Sequence, residues 1–405
     1  MNRRHFLSTI PIAFAAASPV AAKSLSLERA AQTQLQRIPQ QMQAFVDRQV
    51  VSGAVTLVAH GGKVLALDAV GYSDLARKRV MRTDDLFWIA SMTKPITGAA
   101  VLMLQDEGRL AVDDAVEKFL PEFKGQMMQA TRTAEATVLK KPSRRITLRD
   151  LLTHTAGLNS DAPDTGRDLT LAERTLAYAL QPLAFEPGTR WQYSNPGINT
   201  LGRIVEVVSG RSFAEFLDAR LFKPLGMKDT TFWPTESQAH RVAKSYQPGP
   251  DNQGLAEVDN FFLRGLPLTA RWRTPIPAGG LYSTAADIAK FYQMMLGGGQ
   301  ANGRRYLSPQ AHQQLTSTQT GDIKTGFTEG MSWGLGFQVV KQPQGVTAML
   351  APGTYGHGGA YGTQSWADPK RGAIYILMIQ RARLGNSDGA DIRKVFQETA
   401  AAALV

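Results

Sequence analysis

The sequence predicts an α/β (α+β) chain: one antiparallel sheet built from both ends of the polypeptide, flanked by helices, with a mostly helical domain inserted between. Three observations predict it. β-rich runs lie near the start and end of the chain, apolar residues at helical spacing fill the middle, and Gly- and Pro-containing turns separate them.

From Leu25 to Val46, apolar positions such as Leu35, Ile38, Met42 and Phe45 recur at helical spacing, and Pro39 marks a kink or break within that span. Residues 53–60 and 63–68 are two β-rich runs joined by Gly61 and Gly62, a hairpin signature. An apolar-periodic segment runs from Ser91 through Leu104 and ends near Gly108. Thr147 and Asp150 have the spacing of a capping box, and Gly157 supplies a left-handed stop for the helix that follows. Further helices are expected over 197–208, ending at Gly210, and over 284–296, ending in Gly297, Gly298 and Gly299. Strands are expected at 333–340, 364–368 and 372–379, the last two joined by a turn at 368–371, before a terminal helix from about Ala390.

Composition narrows the function classes. The 405 residues are 43% hydrophobic and 20% charged, as in ordinary globular proteins. Beyond the first twenty-odd residues, no stretch approaches the ~18 uninterrupted apolar residues of a membrane span. At the N-terminus, Arg3 and Arg4 precede an apolar, Ala-rich run, and no acid appears before Glu28, the pattern of an export signal over residues 1–22. The order Asn2, Arg3, Arg4, His5, Phe6, Leu7 is similar to a twin-arginine signal, so a periplasmic or secreted protein is expected.

There is no cysteine, which excludes disulfides, a thiolate nucleophile and a Cys-type zinc site. The net charge of +11 becomes +9 without the two signal arginines, but the basic residues are mostly dispersed. The short cluster at 140–145 reads as a solvated loop, and nothing in the chain resembles a nucleic-acid-binding motif. The scattered histidines form no metal-ligand spacing and no Walker-type glycine loop is present, so neither a metal nor another cofactor is expected.

The chemistry-bearing residues come in three groups. Ser91-Met92-Thr93-Lys94 places a hydroxyl and an ammonium on one helical face, where the lysine can activate the serine as a nucleophile. Tyr193-Ser194-Asn195 lies among Pro and Gly residues that mark an irregular loop. A phenol beside an ammonium ionises more readily and can serve as a general base, while Asn195 can position Lys94 or a substrate amide. His357-Gly358-Gly359-Ala360 lets a ligand approach the backbone closely: the Ala360 N–H can face a developing oxyanion, and His357 can donate to a substrate carbonyl or carboxylate.

In this order the three groups resemble the serine β-lactamase and penicillin-binding-protein superfamily, with its S-x-x-K, Y-x-N and K-T-G-like elements. The Y-x-N form is similar to class C β-lactamases, D-alanyl-D-alanine carboxypeptidases and family VIII carboxylesterases. The stretches 146–158 and 277–288 resemble the same group; His154, within the first, is read as structural.

The resemblance implies one domain over residues 23–405, with a sheet lobe of about 23–90 and 330–405, a helical lobe of about 105–270, and the site between them. It also implies an acyl-enzyme on Ser91. Tyr193, held partly ionised by Lys94, would take the proton from Ser91, and the N–H groups of Ser91 and Ala360 would hold the oxyanion. His357 and Gly358 stand where β-lactamases of this group carry Lys and Thr, which disfavours β-lactam hydrolysis and leaves small esters ahead of D-amino-acid peptides and β-lactams. A non-catalytic binder of cell-wall fragments is the reading from another class. Gly385, Ser387 and Gly389 also fit a nucleophile elbow, but no histidine follows Ser387, so that segment is read as a surface turn.

Overall fold

A computed structural model describes residues 31–158, 168–263, 265–385 and 389–404. The expected export signal at 1–22 and the centre of the G-x-S-x-G segment at 386–388 lie outside the described residues.

Helix α1 (Arg37–Asp47) buries Ile38, Met42 and Phe45, as its periodicity predicts. The break associated with Pro39 falls at Gln36, where a turn separates residues 31–35 from α1. Pro39 has no N–H to offer the carbonyl four residues earlier, so the helix parts one turn ahead of the proline. The hairpin follows as β1 (Gly53–His60) and β2 (Lys63–Asp74), in antiparallel register with His60 opposite Lys63. Gly61 and Gly62 both take positive φ in its two-residue turn, which suits glycine.

The sheet has eight strands, all antiparallel. Besides β1, β2 and β3 (Arg79–Val80), it contains β4 (Met331–Trp333), β5 (Gln338–Val340), β6 (Tyr355–Gly358), β7 (Gln364–Asp368) and β8 (Ala373–Met378). Their order is β4-β5-β6-β7-β8-β1-β2-β3, so the N-terminal hairpin docks directly on the last strand, Val55 opposite Met378. The expectation of a sheet made from both ends is met.

Successive side chains of β1 and β8 enter different cores. Val55, Leu57, Ala59, Ile374, Ile376 and Met378 join the larger cluster, whereas Ala54, Val58, Tyr375 and Leu377 pack with α1 and the terminal helix α6 (Asp391–Ala402). A sheet covered on both faces needs apolar residues at every position, which is why β8 shows no polar alternation.

The expected single strand at 333–340 is instead the hairpin β4–β5. Gly334 and Gly336 form its connection, Gly336 at φ 111°, and a Cβ on Gly334 would lie 2.1 Å from the Leu315 carbonyl oxygen. This tight turn rests on α2 (Thr93–Asp106), whose residues from Thr93 to Leu104 are all buried. A helix apolar on every side belongs in the core. One further expectation is corrected: α3 (Leu148–Leu152) does start with the Thr147/Asp150 capping box, but it stops before Gly157. The left-handed residue nearest its end is His154 at φ 60°; Gly157 is left-handed for another reason, since a Cβ there would meet the Phe185 carbonyl oxygen at 2.8 Å.

Gly98 of α2 is the contact point for the β4–β5 turn: a Cβ there would sit 2.5 Å from the Leu335 carbonyl oxygen and 3.1 Å from Leu315. Because that obstacle is backbone, Gly98→Ala is expected to destabilise the fold by about 1–3 kcal/mol. A shift in the urea midpoint at unchanged slope would register it.

Candidate active site

Ser91 occupies a single 3₁₀ turn, Ala90–Met92, immediately before α2. Ala90 has φ 45°, a left-handed conformation that a non-glycine residue adopts only when its surroundings hold it. The Thr93 hydroxyl donates to the Ala90 carbonyl at 2.7 Å, and the Met92 N–H to that of Ile89 at 3.1 Å. The turn presents Ser91 one helical turn from Lys94, as the S-x-x-K spacing predicts.

The Lys94 amine is buried and has three oxygen neighbours: Ser91 Oγ at 3.1 Å, Asn195 Oδ1 at 2.8 Å and the Ala278 carbonyl at 2.7 Å. Burial holds its pKa well below the ordinary amine value. Two of the three neighbours are carbonyl oxygens that can only accept, so they take two N–H bonds in either protonation state. The third tetrahedral position faces Ser91: a donor in the ammonium, a lone pair in the amine. The neutral amine is thereby aimed at the Ser91 proton.

Asn195 opens α5 (Asn195–Ser209) rather than lying in a loop. The Ser194 hydroxyl caps that helix by accepting from Gly197 N–H at 3.0 Å, and it donates to the Leu158 carbonyl. The same helix positions Ala278: Asn199 Oδ1 accepts from Ala278 N–H at 3.0 Å, and Asn199 Nδ2 donates to the Tyr178 hydroxyl. Thr97 of α2 holds the adjoining Pro277 carbonyl at 2.8 Å. Sequence reasoning missed Asn199 and Ala278, although Ala278 lies in one of the stretches marked only as supporting.

Aromatic rings enclose Lys94. The Tyr193 ring lies with its centroid 4.6 Å from Nζ, a cation–π arrangement. Against Tyr193 pack His154 at 4.7 Å, Phe327 at 5.1 Å, and Trp191, Trp333 and His357 at 6.1–6.2 Å. His154, read as structural from sequence, also accepts from the Ser194 N–H through Nδ1 at 3.1 Å, so it orients the whole Tyr193–Asn195 segment.

His357 lies within β6, buried beneath Tyr193 and Trp333. Its Nδ1 is 2.6 Å from the Gly358 carbonyl, which can only accept, so the proton sits on Nδ1 and Nε2 carries a lone pair. Nε2 is buried with no hydrogen-bond partner among the described residues. The expected donation from His357 to a substrate has no free N–H in this arrangement; the ring supports Tyr193 instead. Burial, and then the Lys94 charge, pushes its pKa down to about 3, so it is neutral at working pH.

Gly359 turns β6 onto the nucleophile segment: a Cβ there would lie 2.6 Å from the Ile89 carbonyl oxygen and 2.1 Å from Thr363 Oγ1. Only glycine allows that approach, which seats the end of β6 against the segment that leads into the Ser91 turn. The geometry thus brings together Ser91, Lys94, Tyr193, Asn195 and the end of β6. Among the described residues, no group of histidines and acids could hold a metal ion.

Comparison with known proteins agrees with this arrangement. Residues 38–400 match the Beta-lactamase family. The chain belongs to that family. It is a serine hydrolase of the β-lactamase and penicillin-binding-protein superfamily, similar to class C members. Esterase EstB of Burkholderia gladioli is 32% identical over 374 residues, 85% of this chain and 90% of that protein. Penicillin-binding protein 4 of Amycolatopsis lactamdurans is 34% identical over 287 residues, 70% and 68% of the two chains. The solved structure of EstCE1, a hydrolase with promiscuous acyltransferase activity, shares the fold with a TM-score of 0.73 at 23% identity, over 92% of this chain and 98% of that one.

The buried imidazoles have a pH consequence. With His357 at about 3 when folded and near 6.5 when unfolded, the unfolded state binds more protons between those values. His154 is shifted in the same direction by burial. Stability should therefore fall as pH drops from 6.5 towards 3, and His357→Asn should flatten that slope. Denaturant midpoints at several pH values test this; parallel slopes for the two proteins would refute it.

Proposed function

We propose that this chain is an exported carboxylesterase that cleaves small esters through an acyl-enzyme on Ser91. The observation that carries the ester reading is the neutral, buried His357 where a carboxylate-holding lysine would otherwise stand. A β-lactam or a C-terminal D-amino acid presents a carboxylate that seeks a cation there, whereas an ester does not. The similarity to EstB supports the same choice.

In the proposed reaction, Ser91 Oγ attacks the ester carbonyl as its proton passes to the Lys94 amine, 3.1 Å away. The Ser91 and Ala360 N–H groups receive the oxyanion, and the Tyr193 ring face stabilises the ammonium formed at Lys94. Collapse breaks the ester C–O bond; the departing alkoxide takes a proton from the Tyr193 hydroxyl, which is resupplied from Lys94. Water then enters with the same groups in reverse, releasing the acid and restoring Ser91. In this scheme Lys94, within hydrogen-bond reach of Ser91, is the first base, and Tyr193, read from sequence as the base, carries the proton to the leaving group.

The second reading, a D-amino-acid carboxypeptidase or aminopeptidase, draws on the similarity to Penicillin-binding protein 4. Purified chain should hydrolyse short p-nitrophenyl esters, and Ser91→Ala should reduce kcat/KM by at least about 10³-fold with folding intact. Activity on D-amino-acid peptides but not on esters would replace the first reading with the second. Activity surviving in the variant would remove Ser91 as nucleophile.

The export part of the proposal rests on residues 1–22. Replacing Arg3 and Arg4 by Lys should leave precursor in the cytoplasm, seen by cell fractionation and immunoblotting; unchanged export would remove the twin-arginine route.

A further inference from the structure

The stretch between α3 and the preceding short helical turns forms a two-stranded ribbon, Met128–Arg132 paired with Thr137–Lys140, outside the main sheet. All four residues of its second strand are exposed, including Val138 at 54% and Leu139 at 44%. The ribbon base is tied to the segment after helix α4 (Leu171–Ala179): Gln129 N–H donates to the Leu183 carbonyl at 2.8 Å, and Leu183 N–H to that of Met127 at 2.9 Å. Just before that tie, Leu176 and Leu180 are 49% and 75% exposed. Four of the eleven exposed large apolar residues among the described residues therefore lie on this one ribbon–helix junction. Val138 and Leu139 are successive strand residues, so each face of the ribbon carries an exposed apolar side chain.

The charges along this stretch are predominantly basic. Between Lys124 and Arg145 the sequence has six basic residues and a single acid, Glu135. Arg144 pairs with Asp150 and Arg145 with Glu117, but Lys124, Arg132, Lys140 and Lys141 form no ion pair among the described residues. A groove of about 690 Å³ at the ribbon's foot is lined by Lys124, Lys141, Arg144 and Arg145, with Asp113 and Glu117 also on its wall. Glu186 near its edge is engaged with the Ser143 N–H and hydroxyl.

We propose that this ribbon and its basic groove dock the protein on anionic lipid bilayers. Val138, Leu139 and Leu180 would enter the interfacial layer while Lys140, Lys141 and Lys124 meet lipid phosphates, a combination of shallow apolar burial and cationic attraction suited to reversible peripheral binding. The two strands pair only along their shared edge, and no described helix is long and apolar enough to cross the membrane, so the ribbon would rest in the hydrated headgroup layer. The surface lies on residues outside the proposed acyl-transfer site, so the inference stands apart from the ester reading.

The test is co-sedimentation of the mature chain with phosphatidylglycerol–phosphatidylcholine vesicles, compared with phosphatidylcholine alone. Binding is expected only to the anionic vesicles and should weaken with salt. Lys140→Glu with Lys141→Glu should reduce partitioning by at least about tenfold. Val138→Ser with Leu139→Ser, which removes apolar surface without changing charge, should also release the protein, while circular dichroism and hydrolysis of soluble p-nitrophenyl esters stay unchanged. No binding to anionic vesicles, or binding equal in wild type and variants, overturns the proposal. Release by the charge reversal but not by the serine pair also overturns it, because adhesion would then be to anionic charge alone, as with a soluble polymer.

Discussion

Placing an amine inside the hydrophobic core is the constraint from which much of this structure follows. Lys94 sits on a helix buried on every side, and an uncompensated charge there would be severely unfavourable. The fold answers with two fixed carbonyl acceptors, Asn195 Oδ1 and the Ala278 oxygen, together with the face of an aromatic ring. Those groups hold the nitrogen in place in either protonation state while burial favours the neutral one. A structural accommodation and a chemical activation are thus the same arrangement: of the three oxygens hydrogen-bonded to Lys94, two are carbonyls and the Ser91 hydroxyl is the one that can exchange a proton with it.

Around that centre the protein stacks supports. Asn199 fixes the Ala278 peptide from α5, the helix that Asn195 itself begins, so a single rigid element sets both carbonyl acceptors. His154 and His357 contact Tyr193, each with one nitrogen committed to the backbone and each held neutral by burial. Their neutrality avoids adding positive charge beside Lys94. Left-handed backbone at Ala90 and His154 adds local strain, and both residues adjoin the site rather than the periphery. Strain of this kind persists where surrounding contacts over-determine the conformation.

The architecture was largely legible because periodicity reports burial. The β-rich run Gly53–His60, the Gly61-Gly62 turn and the run ending at Met378 located the strands that join the two ends of the chain. Where legibility failed, backbone geometry was responsible. Residues 333–340 read as one strand because Trp333, Leu335 and Phe337 are apolar, yet Gly336 turns the chain back against α2. Likewise Gly157 was a sound stop signal for a helix that ends earlier, at Leu152.

By itself the sequence determined which residue types are available for acyl transfer and that Ser91 and Lys94 share a helical face, since three-residue spacing is a local property. Tertiary structure decided what Lys94 touches beyond Ser91: it chose Lys94 over a substrate amide as the partner of Asn195 and added Ala278, 101 and 184 residues away along the chain. It also decided the role of His357. From sequence it was a donor towards substrate; in the fold its one N–H is spent on Gly358 and its ring is buried under Tyr193. Tautomer, burial and the company of an amine are set by groups distant in sequence, and no local pattern encodes them.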